Sequence, residues 1–217
     1  MAHKLLKSNL MTELFILLFL SLITLSYNLT VYAADLSLQV TDSAGGAVEN
    51  AVVYVESDTK FSGALAPAMI GQRGRKFDPL VSVVQVGSEV SFPNYDSVRH
   101  QVYSFSPAKT FELKLYSGSM AKSVKFDKVG TVVLGCNIHD FMLAFVQVVD
   151  TPYFTKSDAQ GKAKLTNIPD GNYQLKVWHY ALAKEKEIVQ QPITIKGSQT
   201  TNIRLTLKPF IVPSSPQ

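Results

Sequence analysis

Past residue 33 the chain alternates apolar and polar positions in short runs, each closed by Gly, Pro, Asn or Asp. A period of two puts successive side chains on opposite faces of an extended strand. "LSLQV" (36–40) and "AVVYVES" (51–57) flank "TDSAGGAVEN", a connection rich in turn residues. "LVSVVQV" (80–86), Gly87 and "EVSFPN" (89–94) read as strand, turn, strand. "HQVYSFS" (100–106), "KTFELKLY" (109–116), "AKSVKFDK" (121–128), "TVVLGC" (131–136) and "LAFVQVVD" (143–150) continue the series. Beyond Pro152, "KAKL" and "YQLKVW" stand among the turn signals Asp158 to Gly161 and Pro169 to Gly171, and "PITIKGSQTTNIRLTL" (192–207) predicts a terminal hairpin. No stretch carries an amphipathic pattern of helix length, so the predicted class is all-β, with strands spaced as in a sandwich.

The turns at Asp42 and Asp158 share a D-x-x-G pattern, which groups the first strands with the last portion. The expected organisation is an export signal over 1–33, N-terminal strands over 34–60, a central β domain over 65–150 and a C-terminal β portion over 151–210. The last of these packs with 34–60 into an additional small sandwich, and 211–217 form a loose tail. Two consecutive β domains, or one decorated sandwich, are the alternatives.

The first residues do not belong to this pattern. Lys4 and Lys7 form a basic start, "LFILLFLSLITL" (14–25) an apolar core, and "VYAA" (31–34) supplies small residues for cleavage after Ala33. This is the layout of a secretory signal, with an uncleaved membrane anchor as the alternative because the apolar run is nearly long enough to span. Either way the folded part is expected outside the cytoplasm, in the periplasm.

Export changes the meaning of the single cysteine, Cys136. One Cys makes no internal disulfide, and a free thiol in an oxidising compartment is a liability unless it is buried or metal-bound. Charge is less informative. Without Lys4, Lys7 and Glu13, the 21 basic and 17 acidic residues become 19 and 16, a net +3. The cations gather in "AKTFELKLYSGSMAKSVKFDK" (108–128), interleaved with apolar residues, which reads as a solvated sheet face and not as a nucleic-acid site.

"LGCNIHDFML" (134–143) places Cys136, His139 and Met142 at intervals of three on one short loop between two strands. A buried thiol and a core methionine explain Cys136 and Met142 singly. Together with a histidine they offer three metal-capable side chains, and a site needs one more. The candidates are His100, at a strand end, and His179 in "VWHY"; position favours His100, and His179 reads as a packed histidine beside Trp178. A thiolate and two imidazoles with a weak thioether suit both oxidation states of copper. Asn94, Tyr95 and Asp96 in "FPNYD" read as turn formers.

Residues 65–150 resemble the cupredoxins, the small blue-copper proteins. "FDPLVSVVQVGSEVSFPNYDSVRHQV" (77–102) is similar to the family's F-x-P, V-x-x-G-x-x-V-x-F-x-N and H-x-V pattern, and "GCNIHDFM" (135–142) to its short, amicyanin-type ligand loop. The whole chain also resembles exported plastocyanin-like proteins labelled methylamine-utilisation proteins, which share "VYSFS", "GCNIHD" and a closing "VWH". The resemblance implies a Greek-key β-sandwich holding one type 1 copper ion, with His100, Cys136 and His139 equatorial and Met142 axial. It also implies an apolar rim near Phe141 around an exposed His139. The chain departs from the pattern at Gln101, where an Asn commonly ties the ligand loops together, and at Ile138 and Asp140, where amicyanin-type loops carry prolines. Asp140 is expected close enough to His139 to affect its proton affinity.

The function this implies is a monomeric, non-enzymatic periplasmic electron carrier between redox proteins, with no nucleic-acid partner and no membrane contact beyond an uncleaved anchor. Copper delivery or storage, or a copper-stabilised interaction module, is the alternative; the flanking β portions argue for docking to a partner. A multicopper enzyme needs more than the three histidines left after residue 33.

Overall fold

Alternation in the first strand sets the frame: Ala34, Leu36, Leu38 and Val40 are all buried, and the residues between them are not. The computed structural model describes residues 33–58, 65–118, 123–183 and 188–213. The export signal expected over 1–33 lies outside them except for Ala33, as do the last four residues of the tail. Among the described residues there are strands and no helix, so no helix is long and apolar enough to cross a membrane.

The chain begins with β1 (Ala33–Asp42) and β2 (Val52–Glu56). Its middle forms β3 (Ala68–Met69), β4 (Gly71–Gln72), β5 (Phe77–Asp78), β6 (Val81–Gln85), β7 (Glu89–Ser91), β8 (His100–Ser106), β9 (Lys109–Tyr116), β10 (Ser123–Lys125), β11 (Gly130–Gly135) and β12 (Leu143–Val149). β13 (Phe154–Lys156), β14 (Lys162–Pro169), β15 (Gly171–Trp178), β16 (Val189–Ile195) and β17 (Gln199–Leu205) complete it.

Strands from the two ends interleave. One sheet runs β14-β1-β17 and a second β13-β2-β15-β16, with a shared core that includes Leu36, Val53, Leu165, Leu175 and Leu205. β13 lies antiparallel to β2, Tyr54 opposite Phe154, so the chain leaves and re-enters this sandwich through adjacent strands. The predicted hairpin over 192–207 is corrected here. β16 pairs with β15, whereas β17 crosses to the other sheet and runs parallel to β1. Alternation dictates which side chains turn inward, Ile195, Ile203 and Leu205 among them, but both sheets face the same core.

β3 to β12 build the second sandwich. Its larger sheet runs β6-β12-β11-β8-β9, and β10-β7-β3 lies across a core of Val90, Phe92, Val102, Phe126, Val132, Leu134 and Val146. β12 is buried on both faces. Ala144, Val146 and Val148 point into this core, and Phe145 and Val149 into the core of the terminal sandwich. Phe145 stacks on Tyr180 at 5.1 Å between ring centres and meets Trp178 and Phe210 at 6.0 and 6.1 Å. Lys156 Nζ adds a hydrogen bond to the Val81 carbonyl. Burying an aromatic ring of this size contributes about 2–3 kcal/mol, so β12 joins the two sandwiches strongly.

Candidate metal centre

β11 and β12 are antiparallel neighbours in register from Gly130 opposite Val148 to Gly135 opposite Leu143. Cys136 follows β11 directly and Met142 precedes β12, so the pairing brings both sulfurs to one end of the sheet. β8 lies on the other side of β11 and begins with His100 at that same end. The turn between Cys136 and Met142 is closed by Met142 N–H donating to the His139 carbonyl at 2.9 Å.

The result is a convergence of donors. One ligand atom each from His100, Cys136 and His139 lies within 4.8 Å of the others, and the two imidazole centres are 5.0 Å apart. His100 is fully buried, and Cys136 and Met142 are 2% exposed within one apolar cluster. Nδ1 of His100 and Nδ1 of His139 are buried without a hydrogen-bond partner. Such atoms are rare in folded proteins because each forfeits its solvation. Two of them beside a free thiol make a set of lone pairs suited to a cation.

The orientation of His100 has a cause. Its Nε2 stands 2.8 Å from Asp96 Oδ2, which leaves Nδ1 facing the other donors. Asp96 is itself fixed: its carboxylate accepts the N–H groups of Gly74 at 2.7 Å and Arg75 at 2.9 Å, and its own N–H donates to Asn94 Oδ1. Burial pushes the Asp96 carboxyl up, but hydrogen bonds from Arg75, His100 and Gly74 bring it below its ordinary range. Gly74 and Arg75 form the two-residue turn between β4 and β5, both with positive φ, 60° and 57°. Glycine adopts that conformation freely, whereas arginine does so at a cost of roughly 1–2 kcal/mol. Paired left-handed residues turn their N–H groups toward one point, where the carboxylate sits.

His139 is the less buried imidazole, with Phe141 5.5 Å from its ring centre. Burial is the main cause that holds it below the ordinary histidine range. The carboxylate acting on it is Asp96; Asp140 is exposed. Gln101 does not tie the ligand loops, because its amide donates to Glu112 Oε1 on β9. His179 stands apart from the cluster: Nδ1 accepts the Ala181 N–H, and Nε2 donates to the Glu49 carbonyl. Sequence reasoning gave Asp96 only a turn-forming role. Its position four residues before His100 was the available signal.

No family model and no curated protein matches the chain. Among solved structures it is similar to a copper-containing nitrite reductase (NirK) from Thermus scotoductus SA-01, at 23% identity and a TM-score of 0.38. That likeness covers 45% of this chain and 25% of the reductase, so the chain spans a quarter of that protein's length. A purple cupredoxin from Nitrosopumilus maritimus is 22% identical over 38% of this chain and 99% of its own, with a TM-score of 0.35. A reduced Cu(I) amicyanin variant is 21% identical over 45% and 98%, with a TM-score of 0.36. By its own strand order the chain is all-β, with a middle sandwich of five- and three-stranded sheets and a terminal one of three- and four-stranded sheets.

Proposed function

We propose that the chain is an exported type 1 copper protein that passes single electrons between redox proteins and carries out no bond chemistry of its own. His100, Cys136 and His139 would hold the ion, with Met142 as the weaker fourth ligand. The observation that carries this reading is the convergence of ligand atoms of His100, Cys136 and His139 within 4.8 Å, with a buried, unpartnered Nδ1 on each imidazole and a free thiol. The donor set fits the ion, since thiolate and thioether favour Cu(I) and imidazole suits both states, whereas zinc sites draw on Cys, His and carboxylate.

Bound copper would supply a one-electron Cu(II)/Cu(I) couple. The protein's own contribution is rigidity and exclusion of water. His100 is held by Asp96, Cys136 and Met142 sit at the ends of two hydrogen-bonded strands, and the apolar core closes over both sulfurs. Little need move when the charge of the site changes. His139, half-buried at the surface, is the ring nearest a partner. Periplasmic location belongs to the same proposal and rests on the signal-like first 33 residues.

Addition of Cu(II) to the purified protein tests the reading. The expected result is an intense visible thiolate-to-copper band at one ion per chain, absent in Cys136→Ser, with a reversible one-electron wave. A colourless protein that retains only Cu(I) would support delivery or storage instead.

A further inference from the structure

The basic stretch 108–128 includes β9 and β10, and 119–122 lie outside the described residues. Pairing with β8 sets Lys109 opposite Ser106, at the far end of the strand from His100. Lys109 is matched by Asp127 at 3.0 Å, and Lys128 donates to the Pro107 carbonyl. The metal-centre end carries a different group of cations. Arg73, Arg75 and Lys76, all exposed, occupy the turn between β4 and β5, and exposed Arg99 precedes His100.

This turn is built and not merely placed. Arg73 and Lys76 exchange backbone hydrogen bonds at 3.0 and 3.2 Å, and the amides between them are held by Asp96. The Arg73 guanidinium lies over the Tyr95 ring, 4.7 Å from its centre, and Tyr95 OH is 3.6 Å from Met69 Sδ. Met69, Tyr95, Val98 and, on the ligand loop, Ile138 are each more than a third exposed. The acidic groups of this region are Asp96, engaged by His100 and the turn, Glu112, engaged by Gln101, and exposed Asp78 and Asp140. At position 75 a Gly or Asn would meet the turn's backbone demand with less strain than Arg.

We infer that the Arg73–Lys76 turn, with Tyr95 and Met69, is the docking surface for an acidic protein partner of the copper centre. The inference rests on the reading of His100, Cys136, His139 and Met142 as a redox site. Arginine forks match carboxylates in a planar, two-bond geometry, and like-signed charge around a site steers an opposite partner to it. An apolar, aromatic centre with a charged rim is the make-up of a protein interface. A compact patch of one turn suits that better than a nucleic-acid backbone, which is followed by extended stripes of cations. The turn also holds Asp96, so a partner bound there lies against the element that orients His100.

The test is stopped-flow electron exchange of the copper-loaded protein with native cytochrome c, which is basic, and with the same cytochrome made acidic by succinylation. At about 10 mM ionic strength the acidic form is expected to react roughly tenfold faster, an advantage that disappears near about 0.3 M salt. Arg73→Gln with Lys76→Gln, which keep the Gly74 and Arg75 amides on Asp96, should remove that advantage and leave the visible band in place. Lys109→Gln with Lys125→Gln and Lys128→Gln, at the far end of the sheet, should leave both unchanged. Equal rates for the two cytochromes with an intact band overturn the docking inference alone, whereas absence of the band overturns the copper reading and the inference with it. Retention on phosphatidylglycerol vesicles that the Arg73→Gln, Lys76→Gln variant abolishes would assign the turn to a membrane surface and overturn the inference.

Discussion

Asp96 Oδ2 and His100 Nε2 stand 2.8 Å apart, and that contact decides which nitrogen of His100 remains for another partner. The carboxylate takes the Nε2 side, and Nδ1 is left buried and unmatched next to Cys136 and His139. Asp96→Asn keeps an acceptor of the same size but removes the charge. Copper affinity should fall roughly 10- to 100-fold, and the reduction potential should rise because negative charge near the site is lost. Competitive titration against a chelator of known affinity and voltammetry measure the two effects.

Met142 is separable from its packing role. A change from Met to Leu conserves volume, so Met142→Leu should cost less than about 1.5 kcal/mol in urea unfolding of the metal-free protein. With copper, the visible band should persist while the potential moves, since the fourth ligand tunes it. An unmoved potential would leave Met142 as a core residue only.

That Cys136, His139 and Met142 share one loop was legible in the sequence because they lie within seven residues, where chain connectivity alone keeps them together. His100 was legible as a strand end beside a loop. Asp96 was not, because a short acidic residue after Asn94 has an ordinary use in turn chemistry, and only the fold shows what faces its carboxylate. The β4–β5 turn was missed for a different reason: strands of two residues carry no period to detect. The same limit explains β16 and β17. Alternation revealed their inward faces and could not reveal that they join different sheets.

Gly161 is the most crowded of the described glycines in the terminal sandwich. A Cβ there would lie 2.3 Å from the Val40 carbonyl oxygen, and its φ is +74°. Gly161→Ala should destabilise the protein by about 2–4 kcal/mol, combining the left-handed cost with overpacking against backbone. Gly45→Ala is the matched control, with φ of +88° and open space around it, and should cost about 1 kcal/mol. Thermal or urea unfolding of the pair separates crowding from backbone strain.

His179 gives the fold a pH dependence of its own. Burial pushes the imidazole from its ordinary 6.5 down to about 4, partly opposed by its bond to the Glu49 carbonyl. Below pH 6.5 the unfolded chain accepts a proton that the folded chain refuses, so stability is complete above 6.5 and declines as pH falls toward 4. The loss reaches about 3 kcal/mol at pH 4. The difference in unfolding free energy between the protein and His179→Gln, followed from pH 7 to 4, should track this window. A constant difference would show that His179 titrates normally.

The antiparallel register of β2 and β13, Tyr54 opposite Phe154, has a consequence for how such a chain is assembled. Seen from the terminal sandwich, everything from Ser57 to Tyr153 is the loop of a hairpin whose two stems are already neighbours. Closure entropy grows only with the logarithm of loop length, about 0.6 kcal/mol for each doubling, so a whole folded unit can occupy that loop at little cost to its host. A short turn joining Glu56 to Phe154 would restore an ordinary hairpin there but strip Val81, Phe145 and Val149 from the terminal core, so the host sandwich leans on the segment it carries.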